Sequence, residues 1–265
     1  MLGAIAGDII GSVYEGKKHW MRVRNADFQP LFSPHARFTD DTVLTVAVAD
    51  ALLHGLDLVE SLKGYFARYP GAGFGGDFKR WAASEATEPY GSWGNGSAMR
   101  VSPVGWAFDT LDEVLYRSKE TARVTHDHPE GVKGAQATAA AIFLARTGST
   151  KAEVRGEIER RFQYDLSFRL DDIRPTFAFD SSCQGTVPPA LVAFLESDDY
   201  ESAVRLAISL GGDCDTLACI AGSVAEAFYG GVPEAIRGRA LAALDDELHA
   251  VVAEFAVRFA DRLKP

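Results

Sequence analysis

Two short stretches of this 265-residue chain carry the residue types that suit chemistry: Thr39-Asp40-Asp41-Thr42 and Gly211-Gly212-Asp213-Cys214-Asp215-Thr216. Each sets two carboxylates beside a threonine. Each runs into an apolar segment long enough for a helix, Val43 to Leu53 after the first and Leu217 to Tyr229 after the second. One acidic helix start is unremarkable, because the helix dipole and the free N–H groups of the first turn favour negative charge. Two such starts in one chain suggest more. Hard divalent cations take carboxylate and hydroxyl oxygens, and a pair of these clusters could hold two cations. The donor type favours magnesium or manganese over zinc. Gly211-Gly212 would permit the sharp turn that aims Asp213 and Asp215 into one pocket.

Three further stretches are candidates. Gly94-Asn95-Gly96-Ser97-Ala98-Met99-Arg100 is a small-residue loop whose backbone N–H groups could cradle a phosphate, with Arg100 assisting; a plain turn is the competing reading. Thr125-His126-Asp127-His128 precedes a helix that opens at Pro129. Its two histidines lack the companions of a zinc motif, so a polar or ligand-contacting loop is expected there. Glu15 is expected to end the first helix and to face a site or solvent. Asp8, seven residues earlier and roughly on the same face, is expected to pair with backbone or with a nearby cation.

The elements that must position these residues are helical. Met1 to Tyr14 is expected to be a buried helix whose Gly3, Gly7 and Gly11 share a face and admit a close neighbour. Asp57, Thr110, Thr150 and Asp199 carry N-cap signals. Helices are expected over Leu58 to Tyr69, Thr110 to about Val124, Pro129 to Arg146, and Thr150 to about Gln163. Val187-Pro188-Pro189 is expected to open a helix to Glu196, and Asp199 one that stops at Gly211. Leu241 to Leu263 has the period of one long amphipathic helix. Pro70 to Gly105 is rich in glycine and tryptophan with only Asp77 to Glu85 briefly helical, and Tyr164 to Thr186 is irregular, suiting a short strand or a second ligand loop. No βαβ alternation is present. The expected class is all-α, a single compact orthogonal bundle over residues 1–265 with helices round a central one.

Composition excludes several classes. The net charge of −10 argues against a general nucleic-acid surface. Cys183, Cys214 and Cys219 have no zinc spacing and fit reduced thiols in a cytoplasmic protein. The apolar opening carries Asp8 and lacks a basic flank, so it does not resemble a signal peptide, and no apolar run is long enough for a membrane span. A monomer without membrane attachment is expected.

Together the motifs resemble the ADP-ribosylglycohydrolases of the dinitrogenase-reductase-activating type, which also include the human ADP-ribose–serine and ADP-ribose–arginine hydrolases. The resemblance covers nearly the whole chain. It rests on the stretch from Gly3 to Glu15, on Phe38 to Thr42, on Gly94 to Arg100, on Thr125-His126 and on Ser209 to Thr216, in that order and spacing. It implies an all-helical fold with two divalent cations, Mg2+ or Mn2+. Carried over residue by residue, Thr39, Asp40, Asp41, Asp213, Asp215 and Thr216 are the implied metal ligands. Gly94, Asn95, Gly96, Ser97, Ala98 and Met99 would hold the diphosphate. His128, Glu130 and Gly131 would lie along the ADP-ribose, a weaker match than the rest. Cys214 departs from the family, where a small polar residue often stands.

The implied reaction is hydrolysis at C1 of the distal ribose of an ADP-ribosylated protein or small molecule, releasing ADP-ribose through an oxocarbenium-like transition state. Glu15 or a ligand aspartate such as Asp41 would manage protons. Two other readings use the same residues: an inactive ADP-ribose-binding protein, and a two-metal phosphohydrolase that cleaves the diphosphate. The acceptor is not legible, and arginine, serine, a nucleic-acid end and an O-linked metabolite all stay open.

Overall fold

A computed structural model describes residues 1–15, 25–259 and 262. Among the described residues the regular structure is helical: α1 (Leu2–Gly11), α2 (Asp40–His54), α3 (Leu58–Arg68), α4 (Gly76–Ala82), α5 (Gly96–Met99), α6 (Ser102–Ala107), α7 (Leu111–Arg123), α8 (Pro129–Arg146), α9 (Lys151–Phe162), α10 (Leu170–Ile173), α11 (Cys183–Glu196), α12 (Tyr200–Ser209), α13 (Cys214–Tyr229), α14 (Glu234–Ala242) and α15 (Asp246–Arg258). A lone antiparallel bridge joins Gly94 to Ser182, and no strand is present among them. The chain is all-α, as its patterning requires.

Local chemistry sets the helix starts. The side chains of Asp57, Thr110, Thr150 and Asp199 each accept the backbone N–H three residues on, satisfying a first-turn donor that has no partner inside the helix. Gly55 and Gly230 end α2 and α13 in the left-handed conformation, at φ 66° and 79°.

The central helix is α13, in which every residue from Cys214 to Ala227 is buried. It packs against α1, α8, α11 and α12. Burying side chains such as Ile5, Ile9, Leu217 and Ile220 stabilises the bundle by about 1.5–3 kcal/mol each. The α1 contact is close because of its glycines. A Cβ on Gly3 or Gly7 would collide with the carbonyls of Gly222 or Ala218, and one on Gly11 would stand 2.6 Å from Asp215 Cα. The glycine stripe thus brings the end of α1 directly onto the acidic start of α13.

Several boundaries differ from the sequence expectation: the Pro70 to Gly105 stretch, expected to be helical only over Asp77 to Glu85, holds α4, which ends at Ala82, and also α5 and the start of α6. The first helix stops at Gly11, and Glu15 lies in the turn beyond it, exposed, rather than in the helix. The Pro188-Pro189 pair does not open its helix. The start is Cys183, where Ser182 accepts the N–H of Gly185, and both prolines sit inside α11. The segment expected as one helix from Leu241 is two, because Asp245 accepts the N–H of Leu248 and starts α15 afresh; Leu263 lies outside the described residues. The irregular stretch from Tyr164 holds the short α10 and one half of the Gly94–Ser182 bridge rather than a strand.

Candidate metal centre and ligand cavity

The start of α2 is held by a residue of another helix. Asp8, fully buried on α1, accepts the N–H groups of Thr39 (2.9 Å) and Thr42 (3.1 Å) and the hydroxyls of Thr39 (2.6 Å) and Thr42 (2.5 Å). Thr39 Oγ1 also accepts the N–H of Asp41 at 3.3 Å. These bonds fix the first turn and project Asp40 and Asp41. Asp41 is 2% exposed; its Oδ2 accepts the Thr216 hydroxyl at 3.3 Å, and its Oδ1 has no partner. An acceptor buried without a donor is costly, and here it lies among other carboxylates.

The start of α13 follows Gly211 and Gly212, both in the left-handed region at φ 75° and 76°. That turn frees Asp213 from capping its own helix. Its Oδ2 instead accepts Asn95 Nδ2 at 2.7 Å. Asp215 Oδ1 accepts the Thr216 N–H at 3.0 Å.

The two starts converge. Carboxylate oxygens of Asp8, Asp41 and Asp215 lie within 4.8 Å of one another, and so do those of Glu15, Asp213 and Asp215. Asp215 belongs to both groups. The charges felt by Asp41 include Asp8, Asp40 and Asp213; those felt by Asp215 include Asp41, Asp213, Glu15 and Asp8. Burial first, and these neighbours second, push both carboxyls well above the usual carboxylate range. Burial and then Asp8 push Asp40 up to about 8. Burial raises Asp8 and Asp213 to about 6 even though their hydrogen bonds favour the ionised form. Burial and mutual repulsion oppose full ionisation of such a cluster, and positive charge would relieve both. Convergent oxygens, raised proton affinity and the partnerless Asp41 Oδ1 are what a hard divalent cation requires.

Beside the cluster is a cavity of about 260 Å³, lined among others by Asp40, Gly76, Tyr90, Ser92, Gly94, Gly96 and His126. The loop expected at a diphosphate forms one of its walls, with α5 as its second half. Of that loop, Ala98 and Met99 are buried, and the Ser97 hydroxyl donates to the Gly131 carbonyl at 2.7 Å. Asn95 has its N–H groups engaged by protein acceptors: N to Ser181 O at 2.7 Å, and Nδ2 to Asp213 and to Thr186 Oγ1 at 3.0 Å. Arg100 is wholly buried, with Nη2 donating to Thr121 O and Thr125 Oγ1 at the end of α7. In the α8 region, His128 is exposed and caps the helix by accepting the Glu130 N–H at 3.1 Å; Glu130 pairs with Lys133 at 3.0 Å. Gly131 packs so tightly that a Cβ would stand 2.6 Å from Ser92 O.

His126, in the stretch expected as a polar or ligand-contacting loop, faces the glycine loop. A Cβ on Gly96 would lie 3.1 Å from its Nε2, and one on Gly94 would lie 3.6 Å away. Its Nδ1 is 2.7 Å from Thr125 Oγ1. Burial, with the Arg100 charge nearby, holds it well below the usual histidine range, so it is neutral. Cys183 and Ser181 were missed. The Cys183 thiol donates to Gly94 O at 3.1 Å, and its backbone N–H to Trp93 O at 2.9 Å.

The family model described as ADP-ribosylglycohydrolase matches residues 1–264, and the chain belongs to that family. ADP-ribosylhydrolase ARH3 of Bos taurus is 26% identical over 305 residues, covering 87% of this chain and 84% of that protein. ARH3 of Homo sapiens is 24% identical with the same coverage. ADP-ribosylarginine hydrolase Tri1 of Pseudomonas putida (strain GB-1) is 31% identical over 143 residues, 52% of this chain and 38% of that protein. A solved structure described as an ADP-ribosylglycohydrolase-related protein complex superposes with a TM-score of 0.68 at 28% identity, covering 96% of this chain and 95% of that one. Among the described residues no helix is long and apolar enough to cross a membrane.

Proposed function

We propose that the protein is a divalent-cation-dependent hydrolase of ADP-ribosyl conjugates that cleaves the glycosidic bond at C1 of the distal ribose and releases ADP-ribose. The observation that carries this reading is the convergence of two acidic helix starts on Asp215, directly beside a cavity walled by the glycine loop. Hydrolase names among the relatives support it, and the match over residues 1–264 supports treating the chain as one domain.

Thr39, Asp40 and Asp41 from α2 and Asp213, Asp215 and Thr216 from α13 would hold two cations, Mg2+ or Mn2+. Bound there, the cations supply Lewis acidity for the ribose hydroxyls and for water. The protein's own groups do the rest. Glu15 lies exposed with its carboxylate near Asp213 and Asp215, where a proton can pass to or from solvent. Asp41 Oδ1 is the alternative proton acceptor within the cluster. The Gly94–Met99 loop would offer the first-turn N–H groups of α5, at Gly96 and Ser97, to the diphosphate.

His126 contributes a donor. Arg100 Nη2 donates to Thr125 Oγ1 at 2.8 Å, and we assign the Thr125 hydroxyl as the donor to His126 Nδ1, 2.7 Å away. A neutral imidazole that accepts at Nδ1 carries its proton at Nε2, the atom that faces Gly94 and Gly96. That N–H suits an anionic oxygen of the diphosphate.

The test is a panel of defined conjugates, linked through arginine, serine, a nucleic-acid end or a small O-linked group, incubated with Mg2+ or Mn2+ and analysed by mass. Free ADP-ribose from at least one is expected. Release of AMP would make the protein a phosphohydrolase, and ADP-ribose binding without any product would make it a reader.

A further inference from the structure

The glycine loop joins the acidic cluster through one side chain. Asn95 is 7% exposed and stands between α5, α11 and α13. Its backbone N–H donates to Ser181 O at 2.7 Å, next to the Gly94–Ser182 bridge, so its position is set by main-chain pairing. Its two amide hydrogens go to Asp213 Oδ2 at 2.7 Å and to Thr186 Oγ1 at 3.0 Å.

The direction of the amide is fixed by a second residue. Thr186, 1% exposed, donates its own hydroxyl hydrogen to Asp180 O at 3.0 Å. A hydroxyl that has given its one hydrogen to a carbonyl can only accept from Asn95. Nδ2 therefore faces Thr186 and Asp213, and the amide oxygen, which would repel a carboxylate, turns away. The donor to Asp213 is present whether or not the carboxylate has a cation.

We propose that Asn95 is a positioning residue for the cation site. It holds Oδ2 of Asp213 and thereby sets the plane of that carboxylate, which would face a cation held together with Asp215. Thr186 acts one bond further out by fixing the Asn95 amide. Hydrogen-bond partners that orient a metal-binding carboxylate alter metal affinity by about 10–100-fold. Asn95 accordingly serves the cation rather than the diphosphate, although it lies in the glycine loop. The proposal rests on the cation-dependent reading above only in requiring that a cation binds.

The test is calorimetric titration of Mn2+ into chelator-treated full-length protein, for wild type, Asn95→Ala, Thr186→Val and Thr186→Ser, with thermal melting of each metal-free form. Asn95→Ala keeps the backbone bond to Ser181 and is expected to weaken Mn2+ binding by about 10–100-fold. Thr186→Val keeps volume but removes the acceptor, so a smaller loss in the same direction is expected. Thr186→Ser restores the hydroxyl and is expected to recover wild-type affinity, which a purely steric role for the threonine would not produce. Metal-free melting of Thr186→Ser should match wild type. Unchanged Mn2+ affinity in Asn95→Ala overturns the inference and leaves the hydrolase reading standing. If Asn95→Ala fails to fold, unchanged affinity in Thr186→Val overturns it equally. A wild type that binds no Mn2+ removes the cation-dependent reading and this inference together.

Discussion

At the start of α2 the carboxylates are carried by a turn that another helix holds; at the start of α13 they are carried by a turn that a loop holds. Asp8 gives the α2 start four hydrogen bonds, all from Thr39 and Thr42, and none of the four donors belongs to a residue outside that turn. The α13 start rests on two left-handed glycines and on the Asn95 amide. The first arrangement is part of the bundle's architecture, since α1 is clamped to α13 through Gly3, Gly7 and Gly11. The second depends on a segment that also walls the cavity. One half of the site is thus expected to register damage as lost stability, the other as lost function. Four perturbations break or sharpen that contrast, in descending order of expected effect.

The largest belongs to the open half. Glu15→Gln should lower kcat by about 10²–10⁴-fold, the usual contribution of a general acid or base, with ADP-ribose affinity little changed. Melting of the metal-free protein should not move, because the side chain is exposed. Turnover of one cleavable conjugate, ADP-ribose calorimetry and bound Mn2+ on the same preparation check this. Loss of Mn2+ together with turnover would assign Glu15 to the cation instead of the proton, and near-normal turnover would make it a surface residue.

Asp8→Ala acts on the closed half. It strands two backbone N–H groups and two hydroxyls in a buried position, a loss of roughly 2–4 kcal/mol. For a chain of this size each kcal/mol lowers the melting temperature by about 2–4 °C. The comparison fails if this variant melts like wild type without metal.

The third perturbation is pH on chelated protein. Asp8 and Asp213 are raised to about 6 and Asp40 to about 8, so these carboxyls bind protons more tightly folded than unfolded. Stability therefore falls as pH rises from the ordinary carboxylate range of about 4 towards about 8, where the folded state finally loses those protons too. Mn2+ should stabilise most at the upper end of that window, because it replaces protons in the cluster. Melting temperatures across the window, with and without Mn2+, provide the check; a chelated protein that gains stability between pH 5 and 8 contradicts it.

The smallest is Gly96→Val. The new Cβ would stand 3.1 Å from His126 Nε2 and fill the wall that faces the cavity. A ligand at a hundred times its dissociation constant stabilises by about 2.7 kcal/mol. The wild-type rise in melting temperature with ADP-ribose should vanish in the variant, and an equal rise in both would show that the ligand lies elsewhere.

Much of the fold was legible because caps and glycines act locally. Asp57, Thr110, Thr150 and Asp199 each sit beside the helix they start, and the Gly3, Gly7, Gly11 stripe announces a close partner by its period. Both acidic stretches stand at helix starts, as their sequence suggests. What was hidden depends on distance along the chain or on competing local signals. Asp8 caps α2 from thirty-one residues away, which no local rule anticipates. Pro188-Pro189 carries a strong start signal and masked the weaker Ser182 cap. Leu241, Leu244 and Leu248 keep a helical period across the break at Asp245 and concealed it. The Thr125 to His128 stretch suggested a ligand-contacting loop, but not which histidine does what: His128 caps α8 and His126 faces Gly96.

The central claim is that both helix starts build one site. Bound Mn2+ and turnover of a cleavable conjugate, measured together on Asp40→Asn and Asp215→Asn, test it most directly. The substitutions are nearly isosteric, one on each start, so folded protein is expected from both. Each variant should lose bound Mn2+ and fall in turnover by about 10²–10³-fold, the scale of removing one charge-stabilising contact. Wild-type turnover in both variants, persisting after metal is removed by chelator, would contradict the account.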